Sequence, residues 1–161
     1  MRFIPYILYL FLLALYLTIL RDITYICGAQ IDLAVLMAAL VALYKSEMTT
    51  FWFAVCIAII SGTPLLDLLP WEMIILVIPA LIVNQISARI NLESLTSRLI
   101  LVAGYLLIHQ AVLTLIVAGN DFFILLYKSI LPTMVYTLVI GWLIFQILDG
   151  RITWKKTKAL F

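Results

Sequence analysis

Charge is scarce in this chain of 161 residues, with ten basic and eight acidic residues making up 11% of it while hydrophobic types make up 66%. A soluble domain carries about 25% charged residues and roughly half apolar ones, so the composition excludes an ordinary cytosolic enzyme and a nucleic-acid-binding domain. Cysteine is also rare: Cys27 and Cys56 lie in separate apolar contexts without CxxC spacing, which excludes a disulfide scaffold and leaves inert buried thiols. There is one histidine, no HExxH and no phosphate-binding glycine loop. Asp149-Gly150-Arg151 lacks the paired aspartates that a metal-dependent phosphotransferase needs. Ser61-Gly62 invites comparison with intramembrane serine proteases, but Ile59 stands where the first glycine of a Gly-x-Ser-Gly loop belongs. No catalytic residue, metal or cofactor is expected, and the chain reads as a non-enzyme.

Long apolar runs are present instead. The mean hydropathy is +1.24, and residues separated by charges or turn formers give six segments at about 3–20, 29–44, 48–62, 71–88, 98–118 and 128–148. Backbone exposed to lipid must satisfy its own polar groups, so these segments should be helices. The first, Arg2 followed by Phe3 to Leu20, is long enough to span and lacks the small-x-small site of a cleaved signal. The breaks are Arg21-Asp22, Lys45-Ser46-Glu47, Gly62-Thr63-Pro64 with Asp67, Pro70 and Glu72, then Asn91 to Glu93, and Gly119-Asn120-Asp121. Phe122 to Leu131 reads as a short interfacial helix, Pro79 and Pro132 should kink or delimit the fourth and sixth helices, and a basic tail occupies 149–161. The fold class is therefore an all-α integral membrane protein, one six-helix transmembrane bundle.

The second and third segments, about 16 and 15 residues, reach only about 24 Å of a roughly 30 Å hydrocarbon core. They need shelter from protein. Ala34, Ala38 and Ala42 recur every four residues on one, and Ala54, Ala58 and Gly62 do so on the other. Such faces allow close backbone approach in lipid, so the two short helices should form a central packed hairpin. Thr133, Thr137 and Gly141 mark a similar face on the sixth.

Ionisable groups within apolar spans are functional candidates because placing one there is costly. Asp32, at the start of the second helix, and Asp67, after the third, fall on the same side and are candidates for a shared pocket or partner contact; each also reads as an ordinary helix-start or loop acid. His109, beside Gln110, should be a neutral hydrogen-bonded residue, since no carboxylate shares its span. Asn84, Ser87 and Asn91 suit interhelical hydrogen bonds.

Three stretches, Ile31-Asp32-Leu33, then Ile60-Ser61-Gly62-Thr63-Pro64-Leu65-Leu66-Asp67, then Leu131-Pro132-Thr133, resemble the bacterial rod-shape-determining protein MreD family. The likeness spans most of the chain, with a short second helix introduced by an aspartate, a glycine-to-aspartate stretch, and a proline-led last helix with a basic tail. The chain departs from the family pattern in having Ile31 where a proline often precedes the aspartate, and in Pro64. The resemblance implies a non-catalytic subunit of the cell-elongation machinery in the bacterial inner membrane. Its partners would be a single-span MreC-like protein, the MreB filament and the RodA–penicillin-binding-protein synthase. It also implies a fold similar to the substrate-binding S-components of energy-coupling-factor vitamin transporters, which supply the rival function. Those subunits dock through an Ala-x-x-x-Ala face on the first helix, where this chain has only Ala14. On the scaffold reading, Asp32, Asp67 and the six small residues of helices two and three would hold a partner's transmembrane helix.

Orientation follows from the basic residues. With six spans, one side receives Arg2, Lys45, Arg89, Arg98, Arg151, Lys155, Lys156 and Lys158, and the other only Arg21 and Lys128. The positive-inside rule then places both termini in the cytoplasm, with the basic tail and Trp154 against anionic lipid headgroups. A reporter fused after Phe161 should accordingly fluoresce as a cytoplasmic fusion and be inactive as a periplasmic phosphatase; the reverse pattern would refute an even number of crossings.

Overall fold

The computed structural model describes residues 4–20, 24, 29–63, 66–90 and 94–149. The expected features at Arg2, Arg21, Asp22, Cys27, Pro64, Asn91, Glu93 and the tail from 150 lie outside these. Among the described residues six helices form: α1 (Ile4–Leu15, continued by a π turn at Tyr16–Leu20), α2 (Leu33–Tyr44), α3 (Glu47–Gly62), α4 (Leu69–Arg89), α5 (Leu95–Ala118) and α6 (Phe122–Leu148). Three helical stretches, Leu66–Arg89, Leu95–Ala118 and Phe122–Leu148, are long and apolar enough to cross a membrane, which marks a membrane protein. The other three helices are apolar but shorter.

The local causes of these elements are legible in the residues. Asp32 delays α2 to Leu33 by taking the Val35 N–H with Oδ1 at 3.1 Å, the N-cap bond that a helix start requires. Pro70 opens α4 near its first helical position, where a missing N–H costs nothing, and thereby draws Glu72 into the helix's first turn. Ser94 caps α5 through the Ser97 N–H at 3.0 Å. The stretch expected to be a short interfacial helix leading into the sixth span, 122–131, runs unbroken into the last helix. Pro132 lacks an N–H and its ring crowds the preceding turn, and the chain accommodates it through a π turn at Leu126–Ile130. Inside α4, Pro79 likewise provides no N–H, and the nearby Leu76 carbonyl accepts the Tyr105 hydroxyl of α5 at 2.6 Å.

The short α2 sits at the centre, packed on α3, α4, α5 and α6. Half of its twelve residues are buried. At 1.5 Å per residue it is only about 18 Å long, so both of its ends terminate within the bundle and must find hydrogen-bond partners there. At its C-terminal end Asn84 of α4 donates to the carbonyls of Ala42 (2.7 Å) and Lys45 (2.8 Å), and Ser87 donates to that of Leu43 (3.2 Å). Asn84 and Ser87 thus make the interhelical bonds their placement predicts. At the N-terminal end, Thr137 of α6 accepts the Asp32 N–H at 3.0 Å and Thr133 accepts that of Gln30 at 3.3 Å. The Thr133, Thr137, Gly141 face is buried against α2, and a Cβ on Gly141 would stand 3.1 Å from Leu36 Cδ1.

All six small residues of α2 and α3 are buried within the chain's own core. They are internal packing faces, already covered by neighbouring helices, and a partner's helix has no access to them. Gly62 marks the closest approach of α3 to α4, where an added Cβ would meet the Leu69 backbone at 3.3 Å. Overpacking such a face costs about 1–3 kcal/mol. Ala38→Leu and Ala58→Leu should therefore lower the unfolding midpoint in detergent titrations, whereas the exposed control Ile100→Leu should leave it unchanged.

Candidate functional site

The N-terminal end of α2, the C-terminal end of α3, the start of α4 and the middle of α5 meet at one end of the bundle. There they line a partly open pocket of about 180 Å³. Its polar lining is Gln30, Asp32, Ser61, Glu72, His109 and Gln110. His109, only 3% exposed, lies between two carboxylates from different helices. Its Nε2 is 3.2 Å from Glu72 Oε1, and its Nδ1 is 3.4 Å from Asp32 Oδ2. The first is a hydrogen bond; the second is an ion-pair distance whose geometry does not make one, so Nδ1 is buried without a hydrogen-bond partner.

Each acid is held by further contacts. Asp32 Oδ2 accepts Gln110 Nε2, while Oδ1 is committed to the helix cap. Glu72 Oε1 also accepts the Ser61 hydroxyl at 3.2 Å, and Ser61 bonds back to the Ile57 carbonyl at 3.0 Å. Ser61 therefore donates to the glutamate and not to the imidazole, so the serine and the histidine are not arranged as a directly bonded nucleophile and base. Among the described residues, none that lines the pocket is Lys or Arg. With both acids ionised, a protonated His109 leaves one negative charge uncompensated and a neutral one leaves two. Chemically, the arrangement can share a proton between an imidazole and two flanking carboxylates, or hold a positively charged group. The carboxylates stand on opposite sides of the ring, and no metal-ligating group of three is present among the described residues.

The structure separates the two aspartates that the sequence places together. Asp67 lies exposed in a 3₁₀ turn, Leu66–Leu68, outside the pocket lining. The acid that joins Asp32 is Glu72, which the sequence puts at the start of the fourth segment, next to a break, without marking it as a site residue. Its signal is Pro70 two residues earlier, a helix-start residue that puts Glu72 in the first turn. His109 likewise lacks a carboxylate on its own helix but receives one from α4 and one from the start of α2. Asp32 itself is at the site.

At the opposite end of the bundle Arg98 of α5 forms a 2.7 Å ion pair with Asp149, bonds the Tyr44 hydroxyl at 2.9 Å and stacks 5.6 Å from the centre of that ring. This ties the ends of α2 and α6 to the start of α5 at a surface that also carries Arg89.

No family model, curated protein or solved structure matches the sequence.

Removing one member of a buried ionic cluster costs about 3–5 kcal/mol because the remaining charge stays uncompensated. His109→Leu should be destabilising on that scale in the wild-type background and much less so when Asp32→Asn and Glu72→Gln are already present. Unfolding titrations of the three variants would show it. Additive losses would mean that the three side chains are not energetically coupled.

Proposed function

We propose that the chain is a non-catalytic, multi-pass subunit of the bacterial cell-elongation complex, similar to the MreD family, working in the inner membrane with both termini in the cytoplasm. Its partner would be a single-span MreC-like protein, and through it the MreB filament and the RodA–penicillin-binding-protein synthase. One observation carries this reading. The three stretches on which the resemblance rests lie far apart in the chain yet meet at one end of the bundle. Asp32 caps α2, Ser61 and Gly62 close α3 against the pocket, and Thr133 accepts the backbone N–H of Gln30. A likeness scattered through unrelated corners of the fold would carry less weight than one that builds a single feature.

With the alanine faces occupied internally, a partner helix would have to meet the outer surfaces of the longer helices. Large apolar side chains are exposed there, among them Ile100 and Leu107 of α5 and Val135 and Val139 of α6. Association would then rest on side-chain packing and lipid release.

A substrate-binding S-component of a vitamin transporter is the second reading, favoured by the acidic pocket itself. Its size weighs against it: about 180 Å³ falls short of the roughly 300–1,000 Å³ of ordinary small-molecule sites. Mild-detergent purification of the tagged chain from a bacterial membrane, followed by mass spectrometry of what travels with it, separates the two. The elongation reading predicts an MreC-like chain or an elongation synthase. Recovery of ATPase and coupling subunits in their place would overturn it in favour of transport.

A further inference from the structure

The geometry points to a binding site for the phosphate headgroup of an anionic lipid at the other end of the bundle, between the close of α4 and the first turn of α5. A pocket of about 470 Å³ opens there, with Arg89 of α4, Arg98 of α5 and Tyr44 of α2 in its lining. Two arginines from different helices thus converge on one concavity. Arg98 is only 18% exposed and is fixed in place, its Nη1 donating to Asp149 Oδ1 at 2.7 Å and to the Tyr44 hydroxyl at 2.9 Å. Asp149 holds this guanidinium without itself lining the pocket. Arg89 is exposed and makes no ion pair among the described residues. One carboxylate against two guanidinium groups leaves a positive charge in excess.

The chemistry and the source of the partner follow from the surroundings. Guanidinium groups match the oxygens of a phosphate with paired N–H bonds, and Tyr44, whose oxygen accepts from Arg98, has its own O–H to donate. Two stretches long and apolar enough to cross a membrane meet at this pocket, one ending at Arg89 and the next beginning at Leu95. The pocket therefore lies where the hydrocarbon core gives way to headgroups, the level at which basic pockets between membrane helices take up anionic lipids. Its remaining wall includes Leu43, Ala88 and Ile90, the last 56% exposed. A soluble phosphate has no use for that apolar wall, whereas the glycerol and upper acyl chain of a lipid cover it. An arginine that merely closes a membrane span snorkels to the interface alone. Here one of the pair is instead locked by two partners beside the other. This inference depends neither on which complex the chain joins nor on which side of the membrane this end faces.

The test titrates the full chain, delipidated in a neutral detergent, with phosphatidylglycerol and with phosphatidylcholine, and counts bound lipid by native mass spectrometry. Glycerol phosphate is then added as a competitor. Preferential binding of phosphatidylglycerol that glycerol phosphate does not displace would support the site and its lipid occupant. Equal binding of the two lipids would overturn the site, and displacement by glycerol phosphate at comparable concentration would overturn the lipid as occupant. Arg89→Gln and Lys45→Gln each remove one exposed charge from this end of the bundle, but only Arg89 lines the pocket. Arg89→Gln should weaken phosphatidylglycerol binding roughly tenfold and Lys45→Gln by less than about twofold, as expected for losing a charge-assisted hydrogen bond in one case and a neighbouring screened charge in the other. Melting curves of both variants in phosphatidylcholine nanodiscs check that they are folded. Equal losses from the two folded variants would assign the binding to diffuse positive charge and overturn the site.

Discussion

The structure depends on a helix that is too short. α2 has twelve residues, about 18 Å against a hydrocarbon core of roughly 30 Å, and it occupies the centre of the bundle. A helix leaves four N–H and four C=O groups without partners at its ends, and in an apolar surrounding water is not there to take them. The polar residues of the longer helices are placed accordingly. Asn84 and Ser87 of α4 reach the last carbonyls of α2, while Asp32 and Thr137 serve its first turn. These side chains would be expensive on an all-apolar helix and are stabilising where a backbone end awaits them.

The acidic cluster grows out of the same constraint. Capping α2 with aspartate introduces a buried charge, which Gln110 and His109 approach from α5; His109 in turn has Glu72 of α4 on its other nitrogen, and Ser61 of α3 donates to Glu72. Each residue answers the group before it, so the start of one short helix is tied into contacts among three others. Tyr16 extends the pattern to α1, its hydroxyl donating to the Ile31 carbonyl at 3.0 Å just before the cap.

Much of this was legible in the sequence because it is governed by local pattern. Apolar runs locate the six helices, four-residue spacing locates the alanine faces, and Asn84 and Ser87 announce interhelical bonds. The errors share one physical origin, which is that contacts between helices have no period in the chain. Glu72 stands at the edge of the fourth segment beside Asp67 and Pro70, and nothing in its own stretch shows that it meets Asp32 and His109. His109 has no charged neighbour on α5, and its partners arrive from Asp32, more than seventy residues earlier, and from Glu72. The alanine faces were read correctly as packing surfaces, but their occupants are helices of the same chain. Phe122 to Leu131 leads into the last helix, and a π turn before Pro132 keeps the helix continuous.

Stability alone does not account for ions at this position. Asn, Ser or Thr would cap α2 about as well as Asp32, without bringing a charge into the interior. Burying an ion pair costs several kcal/mol in desolvation, and well-packed apolar replacements are often neutral or stabilising. The C-terminal end of the same helix demonstrates the cheaper solution, since Asn84 and Ser87 satisfy it with neutral groups alone. The two ends of α2 therefore solve one structural problem with different chemistry. The difference is a pair of carboxylates flanking one imidazole, with a cavity beside them. What the charged end has beyond capping is a set of two carboxylates that can share a proton through the imidazole between them.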